Sequence, residues 1–180
     1  MVYRFLLLSD EVDNFKREIQ IDSQSTFFDF HKEILKCTGY DSNQLYSFFL
    51  CDDDWSKLTE ITLIEMDTSS EEDSYVMDST LLEDLIEDEH QKLLYIFDPL
   101  SERVFFIELR EIITGKDIMD PVCSKSFGIP PKQFVEYDMS INDISTDLDE
   151  SFYGDDEYDD EDLDGLDEGM FDESSQDNRF

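Results

Sequence analysis

Hydrophobic and polar positions change period several times along the chain, and each change predicts an element. Val2 to Leu8 is apolar and reads as a strand. After the turn Ser9 to Asn14, residues Phe15 to Ile21 alternate, with Phe15, Arg17, Ile19 and Ile21 on one face and Lys16, Glu18 and Gln20 on the other. The pair is a β-hairpin with one face buried. From Phe27 the period lengthens, so that Phe27, Phe30, His31, Ile34, Leu35 and Thr38 fall on one stripe of a helix. Ser25 and Thr26 open it, Thr26 and Asp29 stand at capping-box spacing, and Gly39 closes it as a C-terminal cap.

Two strands are predicted next, Leu45 to Cys51 and Glu60 to Met66, separated by the turn Asp52, Asp53, Asp54 and by Trp55. Asp67 to Ser79 is polar enough to read as a loop. Thr80 and Glu83 repeat the capping-box spacing before a short helix whose Leu81, Leu82, Leu85 and Ile86 form an apolar side. Lys92 to Asp98 and Arg103 to Leu109, joined at Pro99, are rich in Tyr, Phe and Ile and are expected centrally in the sheet. Beyond Gly115, the residues Pro121, Gly128, Pro130 and Pro131 predict irregular chain. The order ββα, ββ, α, ββ is that of an α+β domain, an antiparallel or mixed sheet of hairpins covered by two helices. Its opening hairpin, helix and strand have the order of a β-grasp start.

Composition divides this pattern. From Glu136 to Phe180 there are 19 acids and one base, and the aromatic residues Tyr137, Phe152, Tyr153, Tyr158 and Phe171 are isolated among them. Such a segment buries too little surface to offset its ordering entropy, which predicts a disordered acidic tail over residues 136–180 behind one domain of residues 1–135.

The whole chain carries 48 acids against 13 bases, a formal charge of −35. That sign repels phosphate backbones and anionic lipid, so direct nucleic-acid and membrane binding are disfavoured; it attracts basic proteins, polycationic surfaces and divalent cations, although maintaining solubility is the plainer role of such charge. The carboxylate excess also predicts that mild acidification stabilises the fold by relieving repulsion. The apolar run Phe5 to Leu8 is followed at once by Ser9, Asp10 and Glu11, unlike a signal peptide, and no uncharged apolar stretch approaches the roughly 20 residues that span a bilayer. Cys37, Cys51 and Cys123 are far apart, without CxxC spacing, and odd in number. Reduced thiols and a cytoplasmic location are expected.

The run Thr26, Phe27, Phe28, Asp29, Phe30, His31, Lys32, Glu33, Ile34, Leu35, then Gly39, Tyr40, Asp41 and Leu45, Tyr46, Ser47, Phe48, has a recognisable form. It resembles the helix-and-strand signature of the plasmid pRiA Orf-three-like family, whose members read T-L-x-D-L-H-x-x-I, G-W-x-D and H-L-x-x-F. The resemblance covers residues 2–131, with the basic pair Lys16 and Arg17, the stretch Tyr95 to Asp98, and the late Pro121, Cys123, Pro130, Pro131 pattern. Phe15 stands where the family usually has Trp, and Gln44 and Tyr46 where His is frequent. Pro99 to Arg103 replaces an F-G-D-x-W segment. The resemblance implies an α+β fold and passenger proteins of plasmids and insertion elements, with no established activity.

Candidate chemistry is sparse. His31 and His90 are the only histidines, and neither has a partner at HxxxH spacing; His31, on the helix stripe, reads as a packed structural residue. There is no G-x-S-x-G elbow, no G-x-G-x-x-G and no G-x-x-x-x-G-K, and Cys37 and Cys51 read as small buried hydrophobes. Arg17, on the inward face of its strand, needs a partner, for which Glu33 or Asp29 is available. Asp160, Asp162, Asp164 and Gly165 match the opening of a calcium loop, but its twelfth position is Phe171 and no amphipathic helices flank it. The pattern therefore assigns no catalytic, cofactor-binding or metal residue. The leading expectation is an intracellular interaction module that binds a protein partner without catalysis. A second is an acidic nucleic-acid mimic using the run Asp147 to Asp167, and a third is a metal-dependent enzyme built on Asp52, Asp53 and Asp54.

Overall fold

Thr26 fixes where the longer helix begins. Its hydroxyl accepts the Asp29 N–H at 3.1 Å while the Asp29 carboxylate accepts the Thr26 N–H at 3.2 Å, and Gly39 ends the helix in the left-handed conformation at φ 73°. The computed structural model, which describes residues 1–65 and 75–134, places this helix within ten elements. They run β1 (Val2–Leu8), β2 (Lys16–Asp22), α1 (Phe27–Thr38), β3 (Ser47–Cys51), β4 (Lys57–Thr62), β5 (Tyr75–Val76), α2 (Leu82–Leu85), β6 (Lys92–Asp98), β7 (Arg103–Ile113) and β8 (Val122–Phe127).

The strands form one eight-stranded mixed sheet in the order β5-β4-β3-β6-β7-β1-β2-β8. All neighbours pair antiparallel except β4 and β5. The expected α+β architecture is thus present, with β6 and β7 central as their composition predicts. The strand after α1, β3, is separated from β1 by β6 and β7.

One sheet face packs under α1. Phe5, Phe30, Phe48, Tyr95 and Phe105 are fully buried, with Phe5 stacked on Phe30 at 4.6 Å and Phe30 on Phe48 at 5.4 Å between ring centroids. Each such side chain contributes on the order of 2 kcal/mol through removal from water, and the ring contacts add to this. α2 is anchored beside α1: the Phe27 N–H donates to the Thr80 carbonyl, Leu82 donates to Ser25, and the Tyr3 hydroxyl donates to the Ile86 carbonyl at 2.8 Å.

Five local expectations are corrected. The second capping box sits one residue later than predicted: Leu81 is the N-cap and its N–H donates to the Asp84 carboxylate, because Glu83 is occupied accepting from the Ser23 hydroxyl at 2.9 Å. The predicted loop of residues 67–79 contains β5, and the irregular stretch after Gly115 contains β8. Arg17 is buried as predicted but pairs with neither Glu33 nor Asp29. Its guanidinium donates instead to the carbonyls of Cys37 (3.0 Å), Lys16 (2.9 Å), Phe127 (2.7 Å) and Gly128 (3.1 Å). Glu18, expected to point to solvent, is buried on the other sheet face by Arg4, Ser124 and Lys125. The acidic tail of residues 136–180 lies outside the described residues.

Candidate binding face

Side-chain alternation gives the sheet a second face, opposite α1, and among the described residues no helix lies on it. The registers of β3, β6, β7 and β1 align Phe49, Leu94, Phe106 and Leu8 in a row across four strands. Trp55, reached through a left-handed turn at φ 66°, sets its ring edge-on to Phe106 at 5.0 Å, and Lys92 lies 5.1 Å from the Trp55 ring. Leu94 and Ile96 are buried by these neighbours, whereas Phe49, Phe106 and Trp55 remain half-exposed and Leu8 exposed. The result is an aromatic and aliphatic band open to solvent.

The adjoining row is charged. Lys92, Glu108, Leu6, Glu18 and Lys125 align across β6, β7, β1, β2 and β8. Around its β1–β8 end lies a depression of about 310 Å³ lined by Arg4, Lys16, Arg110, Lys125 and His90, with Leu6 and Glu18 between them. Arg4 pairs with Glu111 at 2.6 Å and with Glu18 at 3.4 Å, while Lys125 reaches Glu18 at 3.0 Å. His90 and Arg110 share Glu108, each at 2.8 Å. Burial alone would raise the Glu18 carboxyl, but hydrogen bonds from Lys125 and Ser124 and the nearby Arg4 outweigh it and hold Glu18 below its ordinary value. Glu108 is lowered in the same way: His90 and Arg110 prevail over burial.

Two features leave this depression able to accept more negative charge. The Arg4 Nε is buried without a hydrogen-bond partner, and the Lys16 ammonium has no ion pair among the described residues. A carboxylate entering here would meet guanidinium and ammonium donors suited to charge-assisted hydrogen bonds. In a chain of 13 bases and 48 acids, such a gathering of cations is a local reversal of the overall sign.

The residues singled out from sequence lie elsewhere or are engaged in structure. His31 Nδ1 is 2.7 Å from the Tyr95 hydroxyl in the core, and its ring lies against Tyr46 at 4.8 Å. Burial, with the Lys32 charge adding, pushes its pKa down to about 4, so it is neutral at pH 7. The Tyr46 hydroxyl donates to the Asp41 carbonyl and accepts from Gln133, and burial raises it to about 12. His90, by contrast, borders the basic depression. Asp52 Oδ1 accepts the N–H groups of Asp54 and Ser56 and so builds its own turn. Among the described residues no group of three His, Cys, Asp or Glu side chains is placed to share a metal ion. The calcium-like residues Asp160 to Gly165 and the run Asp147 to Asp167 lie outside the described residues.

Sequence reasoning missed the basic depression. Outward alternation in β2 exposes Lys16 and Glu18, but Lys125 and His90 join them only through β8 and the residues before β6.

Comparison with known proteins agrees with this architecture. A solved structure of a protein of unknown function from Methanosarcina mazei Go1 is similar in fold, with a TM-score of 0.54 and 21% identity over 69% of this chain and 68% of that one. No curated protein matches the sequence. No helix among the described residues is long and apolar enough to cross a membrane. The sequence profile of the plasmid pRiA4b ORF-3-like protein family matches residues 3–173, most of the chain. By that match the chain belongs to the plasmid pRiA4b ORF-3-like family.

Proposed function

We propose that the domain is a non-catalytic binding module whose open sheet face receives a protein partner of net positive charge. The observation that carries this reading is the uncovered Phe49–Leu94–Phe106 band lying beside the basic depression at Arg4, Lys16, Arg110 and Lys125. The whole-chain charge of −35 steers basic proteins toward encounter, while the face decides what docks. The band accepts an apolar side chain of the partner, and the depression clamps one of its carboxylates. Half-exposed aromatic and arginine side chains are the residue types that carry most binding energy in protein interfaces.

The test compares proteins retained from native lysate by the immobilised full chain, by a face variant (Phe49→Ser with Phe106→Ser), by a depression variant (Lys16→Glu with Lys125→Glu) and by the helix-surface variant Lys32→Glu. Circular dichroism establishes that each is folded. The expected result is a basic protein retained by the wild type and by Lys32→Glu, and lost from both sheet-face variants. Recovery of the wild type as a lone monomer, or equal retention by all four proteins, overturns the reading.

A further inference from the structure

We propose that Cys37 and Cys123 form an intramolecular disulfide that fastens edge strand β8 to helix α1 when the chain meets a low-molecular-weight disulfide such as glutathione disulfide. The inference is independent of the binding function proposed above. Cys37 lies in the last turn of α1, one helical turn after Glu33, so both side chains project from one side of the helix. The Cys123 N–H donates to Glu33 Oε1 at 2.9 Å, which seats this residue of β8 against that side. Arg17 braces the same junction, with Nε on the Cys37 carbonyl at 3.0 Å and Nη1 on the Phe127 carbonyl at 2.7 Å. The Cys37 Sγ donates to the Ile34 carbonyl at 3.4 Å and the Cys123 Sγ to the Lys125 carbonyl at 3.3 Å, and Cys123 lies close enough to Cys37 to act on its thiol. Both cysteines are reduced and half-buried, which leaves them within reach of a small reagent.

A disulfide needs an S–S separation of about 2.05 Å, which rotation of the two side chains away from those carbonyls can supply between neighbouring elements. The reaction starts at Cys123. Burial, with Cys123 beside it, pushes the Cys37 thiol up to about 12, so Cys37 is the reluctant nucleophile. The Cys123 thiolate attacks one sulfur of the reagent disulfide, forming a mixed disulfide and expelling one reagent thiolate. The Cys37 thiolate then attacks the Cys123 sulfur and expels the second. Two protein thiols are oxidised by two electrons, the reagent disulfide is reduced to two thiols, and the two protons end on those thiols. The second step accelerates with pH because it needs the scarce Cys37 thiolate. Cys51 is the internal control, since it lies on β3, with β6, β7 and β1 between it and β2.

The experiment incubates the full chain in glutathione buffers from reduced to oxidised at pH 7, 8 and 9, alkylates the remaining thiols and maps the peptides by mass spectrometry. A Cys37–Cys123 peptide is expected, forming over hours and faster at pH 9 than at pH 7, with Cys51 still alkylated. It persists in Cys51→Ser, is absent in Cys37→Ser and Cys123→Ser, and slows amide exchange across Val122 to Phe127. A chain that keeps both thiols alkylatable in glutathione disulfide at pH 9, stops at the mixed disulfide, pairs either thiol with Cys51, or shows unchanged exchange in β8 overturns the proposal.

Discussion

Arg17 reaches the Phe127 carbonyl at 2.7 Å, so a strand near the start of the chain holds the last strand of the sheet through one guanidinium. With Cys37, Lys16 and Gly128 also served, four backbone acceptors from three segments depend on this one buried side chain. The ring of Phe15 lies 4.5 Å from the same cation.

Replacing Arg17 by Met is therefore expected to cost about 3 kcal/mol, since four charge-assisted hydrogen bonds that tie three segments together are lost at once. Arg17→Lys recovers only part of this, because an ammonium cannot span acceptors laid out for a planar fork. Urea titration of the three proteins checks the order.

A pH titration separates His31 from the crowd of carboxylates. The imidazole is held to about 4 in the fold, against an ordinary value of about 6.5. Between those values the unfolded chain binds a proton that the folded chain refuses, so stability is complete above pH 6.5 and falls as pH drops. The loss amounts to about 2 kcal/mol at pH 5. The lowered Glu18, Asp29 and Glu108 act in the same direction at lower pH, their stabilisation being lost as each protonates. These shifts oppose the gain on mild acidification that charge counting predicts. Chemical denaturation from pH 7.5 to 5 should show wild-type stability falling and His31→Gln nearly flat.

Gly128 and Gly39 make a matched comparison. Both are left-handed, at φ 71° and 73°, but a Cβ on Gly128 would meet the Asn14 carbonyl oxygen at 2.1 Å, whereas one on Gly39 meets nothing within 4 Å. Gly39→Ala is expected to cost about 1 kcal/mol from backbone strain alone. Gly128→Ala should cost clearly more, because the β1–β2 turn has to shift as well. Thermal melts of the two variants, side by side, decide this.

Elements with a strong local cause were readable from sequence. Lys92–Asp98 is found with its predicted ends, and the Thr26, Asp29 and Gly39 signals delimit α1 because capping is decided by residues a few positions apart. β8 was hidden because Ser124, Lys125 and Ser126 carry no strand period, and their order comes from pairing with β2, more than a hundred residues earlier. The same distance concealed Arg17's true partners: main-chain oxygens leave no mark on a pattern of side chains. Glu18 misled for a related reason, since β2 has a second buried side only once β8 and Arg4 cover it.

Removing residues 141–180 is expected to leave the melting temperature within a few degrees. That segment carries 17 acids against one base, and like charge on the domain opposes any gain from keeping it. Differential scanning calorimetry of the truncated and full chains measures the difference, and unfolding on truncation would show that the domain extends past residue 135.

The strand order has a consequence for synthesis. β1 leaves the ribosome first, yet it sits between β2 and β7, so one of its edges stays unpaired until Arg103–Ile113 has been made. Through most of translation the nascent chain therefore presents the apolar edge of Val2–Leu8, with only the first hairpin closed. Pairings this distant in sequence slow folding and leave time for stray contacts between growing chains. The strongly negative charge spread along the polypeptide is well suited to keeping those chains apart while the sheet waits for its middle strand.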